Sequence, residues 1–272
     1  MVDAVRWFGW WLAVLWASRA ARAAGDRRPA ILFQPDTPRP WYVIRPAMAL
    51  AGLRLASDPA EAAAAFRFED LTTAASLAPN APRALNDGCP DIAKPHVAAV
   101  FAQVFGYPLA VDPRTWSGLA VEKSALNGVH DGRLVDCPRP LAPGMHYERF
   151  IDTAVDGYPT DLRVACVGGR AIVVWRKRKS PENRFGIDNL AVALLAPADA
   201  FPSAERATLE RFCAAMRLDW AAIDVLRDRA DAHLYVVDVN PTDMGPPIAA
   251  PLRDKLAACR ALGEALRRLI DA

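Results

Sequence analysis

Apolar residues first crowd into an almost unbroken run, residues 7–17 (WFGWWLAVLWA), which holds four of the eight tryptophans. A membrane-crossing helix needs about 20 apolar residues, so this run is too short to span alone. Its length suits a signal-peptide core, and Ala21-Arg22-Ala23 has the form of a cleavage site. Against that, Asp3 offsets Arg6, and tryptophan is a poor residue for such a core. Two other readings of residues 1–25 stand beside it. The helix either covers an apolar face of the fold or a partner, or lies at a membrane surface with Arg19, Arg22, Arg27 and Arg28 towards the headgroups.

The pattern then changes to short apolar runs broken by turn residues. Residues 30–33 read as a buried strand stopped by Gln34-Pro35-Asp36, residues 42–51 as a helix with Pro46 near its start, and residues 53–56 as a second strand. Asp58-Pro59 has the form of a helix start, with residues 66–68 as a third strand after it. Strands alternating with helices over residues 26–84 predict a short Rossmann-like parallel unit. From about residue 85 the pattern differs. Val97, Val100, Phe101, Val104 and Phe105 space one apolar face along a helix over 94–105 that opens near Asp91. Strand-like runs follow at 118–123, 133–136, 146–151, 162–167 and 171–175, the last two joined by the hairpin pair Gly168-Gly169. A helix from Ser203, with that serine as cap, a strand pair at 220–226 and 233–240, and an amphipathic helix over 252–270 complete an α+β unit spanning 85–272.

Composition narrows the function classes. With 53% hydrophobic and 24% charged residues over 272 positions, the chain is an ordinary folded protein. A formal net charge of +2, with no Lys/Arg block interleaved with aromatics, argues against nucleic acid as a partner. Cys89, Cys137, Cys166, Cys213 and Cys259 form no C-x-x-C pair and have no histidine at zinc spacing, which predicts reduced thiols in a cytoplasmic protein.

Candidate chemistry gathers in three places. In 235–240 (YVVDVN), strand alternation puts Asp238 and Asn240 on one face and Val237 and Val239 on the other. Two such oxygens suit a hard divalent cation, and Asp224 in the neighbouring apolar run 221–226 offers a third. The competing reading has Asp238 capping a turn and Asn240 starting one before Pro241. Next, Asp161 and Arg163 share a face, as do Arg176 and Arg178 in the run 176–179 (RKRK). That run is either a solvated strand end or a phosphate clamp. Last, Lys123 and Ser124 close a strand ahead of the glycine-containing loop 127–132 (NGVHDG), one way to hold phosphates.

The order of these clusters over residues 85–247 resembles the ATP-grasp superfamily, the group containing glutathione synthetase and the ribosomal-protein glutamate ligases. Lys94 stands at the place of the family's earlier ATP-contacting lysine and Lys123 at the later one. His146-Tyr147-Glu148-Arg149-Phe150-Ile151 is similar to its adenine-hinge strand, Asp161-Leu162-Arg163 to its D-x-R strand, and residues 218–226 (LDWAAIDVL) to its G-L-D-x-x-G-x-D stretch. The resemblance implies a fold of two α/β subdomains clasping ATP, and an enzyme that joins a small-molecule or peptide carboxylate to an amine or thiol through an acyl phosphate. It further implies Mg²⁺ on Asp224, Asp238 and Asn240, phosphates neutralised by Lys94 and Lys123 under the loop bearing Ser124, Asn127, His130 and Asp131, and adenine beside Tyr147, Glu148 and Phe150, with Asp161 nearby. Arg178, with Arg163 or Arg176 behind it, would face the transferred phosphoryl group. The chain departs from the family in its short segment before residue 85, in Asp238 where many relatives carry Glu, and in the Pro-Thr-Asp-Met-Gly-Pro-Pro that follows Asn240. A non-catalytic ATP-binding module and a kinase of the same fold are the rival readings.

Overall fold

The computed structural model describes residues 2–19, 23, 28–74, 83–186 and 188–272. Ala21, Arg22 and Arg27, invoked above for cleavage or headgroup contact, lie outside the described residues. Helix α1 (Val2–Ala17) precedes a parallel unit of β1 (Ala30–Pro35), α2 (Ile44–Leu50), β2 (Arg54–Leu55), β3 (Ala62–Phe68) and β4 (Ala84–Leu85), with strand order β2-β1-β3-β4. The helix expected from Asp58 is a single 3-10 turn, Pro59–Glu61. Asp58 does cap it, accepting from the Ala60 amide at 2.8 Å, but the alanines that follow belong to β3. Wedged between β1 and β4, that strand takes small side chains, and tertiary packing overrides alanine's helix preference.

Helix α3 (Lys94–Phe105) leads into an antiparallel sheet of β5 (Gly118–Ser124), β6 (Arg133–Cys137) and β7 (Met145–Arg149), ordered β6-β5-β7. The rest builds a larger antiparallel sheet from β8 (Ala154–Val155), β9 (Tyr158–Val167), β10 (Arg170–Arg178), β11 (Ala191–Leu195), β12 (Trp220–Arg227) and β13 (Leu234–Asn240). Its order is β11-β10-β9-β12-β13, with β8 on β9, and helix α4 (Ser203–Ala215) enters before β12. Ser203 opens α4 without a side-chain capping bond, the capping position being Pro202. Helix α5 (Leu252–Asp271) closes the chain.

Side-chain alternation on the large sheet explains the layout. One face is apolar, with Leu162, Val164, Val174, Ile223, Val225 and Val239 packed under α3 and α4. The other face is divided along the strands. Ala165, Val167, Val173, Trp175 and Trp220 pack with α5, α2, the parallel sheet and the inner side of α1 in a second core. Farther along the same strands the same face carries Asp161, Arg163, Lys177, Asp224 and Asp238, left uncovered by that core.

Helix α1 covers an apolar face through Trp10 and Val14, which are 2% and 1% exposed. Its outer side exposes Val5, Phe8, Leu12, Leu15 and Trp16. No described helix is long and apolar enough to cross a membrane. A polar clamp joins the parallel unit to the large sheet. Asn86, at positive φ (59°) and buried, accepts from the backbone amides of Asp219 (2.8 Å) and Trp220 (2.9 Å) and donates to the Trp220 carbonyl (2.7 Å). Its own backbone amide donates to the Asp219 carboxylate at 2.8 Å.

Candidate functional site

The uncovered charged half of the large sheet and the three-stranded sheet face each other across a cleft of about 330 Å³. Strand β9 contributes Asp161 and Arg163, β12 Asp224 and β13 Asp238, with Asp224 and Asp238 directly opposite each other in the ladder. Helix α3 points its first residue, Lys94, inward; β5 adds Lys123, and β7 adds Glu148. The loop 124–132 borders the cleft and is tied locally. Asp131 accepts from the Ser124 amide at 2.9 Å, Ser124 Oγ accepts from the Leu126 amide at 3.2 Å, and the Asn127 amide donates to Thr72 Oγ1 at 2.9 Å.

The cations here are held by protein carboxylates and carbonyls. Lys177 Nζ and Arg163 each lie 2.9 Å from Asp224, and Arg163 also reaches Asp243 at 2.5 Å. Lys94 pairs with Asp238 and donates to Asn127 Oδ1 at 3.0 Å. Lys123 lies 2.8 Å from Glu148 and donates to the Val237 carbonyl at 3.0 Å. Burial pushes the Asp224 carboxyl up, but Lys177 and Arg163 more than reverse this and hold it well below the usual carboxylate range. Glu148 is likewise lowered, burial being outweighed by Lys123 and His146. Asp161 and Asp243 go the other way: burial raises both, and Lys179 and Arg163 respectively compensate only in part.

Lys94, Lys123, Ser124, Glu148, Asp161, Arg163, Asp224 and Asp238, each singled out in the sequence, line this one cleft. Asn127 touches it through its bond to Lys94. Asn240 behaves as the turn reading has it, its Oδ1 accepting from the Thr242 amide (2.9 Å) and hydroxyl (3.2 Å). Tyr147 is buried in the small core of the three-stranded sheet and donates to the Glu122 carboxylate, while Glu148, Arg149 and Ile151 line the cleft. Phe150 lies beside them with the Arg184 guanidinium 4.8 Å above its ring.

The pair Arg176 and Arg178 requires correction as cleft residues. Arg176 is exposed and Arg178 stacks on Tyr158 at 3.9 Å, both on the opposite face of β10. It is Lys177 and Lys179 that enter the cleft, Lys179 donating to the Gly186 carbonyl at 2.7 Å and lying 3.7 Å from Asp161. Asp243 and Arg184 carry no signal in the sequence; both come from segments without strand or helix periodicity.

No protein-family model matches the chain, and no curated protein matches its sequence. Solved structures do. The ATP-grasp ligase PsnB, solved with precursor peptide PsnA2 and AMPPNP, is 14% identical with a TM-score of 0.56, over 90% of this chain and 98% of that one. D-cycloserine synthetase DcsG is 14% identical with a TM-score of 0.57, over 89% and 99%. An ATP-grasp RimK domain protein from Sphaerobacter thermophilus DSM 20745 is 14% identical with a TM-score of 0.53, over 89% and 100%. The sheet order, the cleft between two sheets and these near end-to-end superpositions agree: the chain has the ATP-grasp fold.

Proposed function

We propose that this protein is a Mg-ATP-dependent ligase that activates a carboxylate as an acyl phosphate and joins it to an amine or thiol. The observation that carries this reading is the facing pair Asp224 and Asp238, set among Lys94, Lys123, Arg163, Lys177 and Lys179 in one cleft. A polyphosphate needs cations and a metal held by few protein oxygens, since Mg²⁺ ordinarily takes one or two carboxylates and completes its shell with phosphate and water. Among the described residues no three His, Cys, Asp or Glu gather as a metal-holding group. The donor set therefore suits a nucleotide-bridging Mg²⁺ on two carboxylates, and not a closed structural metal site.

When bound, Mg-ATP supplies the phosphoryl group and the leaving ADP. The chain's own residues neutralise and position. Asp224 and Asp238 would hold the metal, and Lys177 and Lys94, which now pair with them, would neutralise phosphate oxygens. Arg163, held between Asp224 and Asp243, would meet the charge of the substrate carboxylate and of the transferred phosphoryl group. Asn240, the third oxygen expected from the sequence, turns into its own loop and does not line the cleft. Five free, buried cysteines fit a reducing, cytoplasmic compartment.

Calorimetry with Mg-ATP tests this directly. The intact protein is expected to bind in a Mg-dependent manner, and Asp238→Ala to weaken binding at least tenfold. Undiminished affinity in the variant would remove the metal assignment; no binding by the folded intact protein would remove the nucleotide reading.

A further inference from the structure

Beside the nucleotide cleft, on the same face of the large sheet, lies a second cavity of about 250 Å³. The two share Arg163, Lys177 and Asn189, so they meet where the charged half of the face gives way to the apolar half. Across that boundary the floor is Ala165 beside Trp175, and α5 adds Ala258 and Leu262. Small side chains at Ala165 and Ala258 leave the space; Trp175 and Leu262 supply apolar walls.

The outer wall is residues 243–247, and it is braced. A Cβ at Gly245 would lie 2.5 Å from the ring of Trp7 in α1 and 2.9 Å from the Trp41 carbonyl, so only glycine lets this wall sit against the helix. Pro246 and Pro247 stiffen the chain immediately after it. The α1 helix thus backs the outer wall through Trp7.

From this geometry we infer that the second cavity seats the apolar body of a compact monocarboxylic acid, its carboxylate at Arg163 and Lys177 next to the nucleotide phosphates. This rests on the ligase reading and names the class of acid that would be activated. The volume is roughly that of eight waters in the liquid, room for one amino-acid-sized body. Polarity gives the rest. Arg163 and Lys177 are the cations among the residues lining this cavity, and both sit at its cleft end. A second carboxylate on the substrate would lie unpaired against Ala165, Trp175 and Leu262. The reaction balances without further reagents: the acid's oxygen bonds to the γ-phosphorus as the bond to ADP breaks, and the nucleophile then displaces phosphate from the acyl carbon.

The test uses the full chain with Mg²⁺ and a non-hydrolysable ATP analogue, titrated with 3-phenylpropionate or succinate. The aromatic monoacid is expected to bind at least tenfold tighter than the diacid. Ala165→Phe, which fills the floor, and Ala258→Leu, which fills from the helix side, are each expected to lower 3-phenylpropionate affinity at least tenfold while affinity for the Mg-nucleotide, which also reports folding, is kept. With Mg-ATP and hydroxylamine the intact protein should then form the hydroxamate of 3-phenylpropionate and not of succinate. Equal binding of the two acids, binding of neither beside a bound nucleotide, or full 3-phenylpropionate affinity in a folded filled variant would overturn the inference. Absence of nucleotide binding in the intact protein would instead overturn the ligase reading.

Discussion

Asp161 and Asp224 sit on adjacent strands and share one sheet face, yet their carboxyls are shifted in opposite directions. Asp224 has two cations at 2.9 Å, whereas Asp161 has Lys179 at 3.7 Å and the larger share of its burial uncompensated. With its pKa raised, folded Asp161 binds a proton more readily than the unfolded chain does. Its charge therefore subtracts stability above that pKa, and the subtraction fades as pH falls through it. Asp161→Asn is expected to raise the melting temperature at pH 7 and to lose that advantage towards pH 4; an unchanged difference across this range would contradict it. Asp224 has the opposite sense, its contribution being present at neutral pH and lost only in strong acid. At this scale much of the site was legible, because Asp161-x-Arg163 and Asp238 stand in strands whose alternation is plain. The run 176–179 was not. Val173, Val174 and Trp175 are all buried, so both faces of β10 are apolar up to the cations and the pattern carries no phase. Only the pairing of Lys177 with Asp161 and of Trp175 with Arg163 decides which two of the four face inward.

Among the elements, α2 and α5 approach each other closely. A Cβ at Gly263 would lie 2.2 Å from the Ala47 carbonyl and 2.9 Å from the Ala51 side chain. In an exposed helix, Gly→Ala gains about 1 kcal/mol of helix propensity. Here overpacking, worth about 1–3 kcal/mol, acts against a backbone atom that cannot swing aside. Gly263→Ala is therefore expected to destabilise by up to about 2 kcal/mol net, read as a lower urea midpoint; a stabilised variant would show that the helices part freely. Element types were largely readable from periodicity, and the misses have local causes. The alanines of β3 have no amphipathic pattern because the strand is covered on both faces, and β11 is a half-buried edge strand entered from an irregular loop.

Across the whole molecule, the second core ties the two ends of the chain together, since α1 and α5 bury side chains in the same cluster. Trp10, 2% exposed at its centre, is expected to cost about 3–5 kcal/mol on replacement by alanine, measured by denaturant unfolding. A loss below about 1 kcal/mol would mean that α1 is an appendage. The N-terminal run was readable as a helix, but which of its sides is covered was not: tryptophans fall all round it, and burial depends on distant segments such as residues 241–250.

The Asn86 clamp bears on how a ligand gets in. Four hydrogen bonds from one buried residue pin the parallel unit to the head of β12, so these two parts form a single anvil. Among the described residues the three-stranded sheet shares no strand ladder with the large sheet; across the cleft they are tied by Lys123 of β5 and by Lys94 of α3, which bridges Asn127 and Asp238. Those are the contacts that an arriving polyanion would compete for. A nucleotide bound as proposed above is therefore expected to weaken the ties between the two sheets while leaving the Asn86 clamp intact.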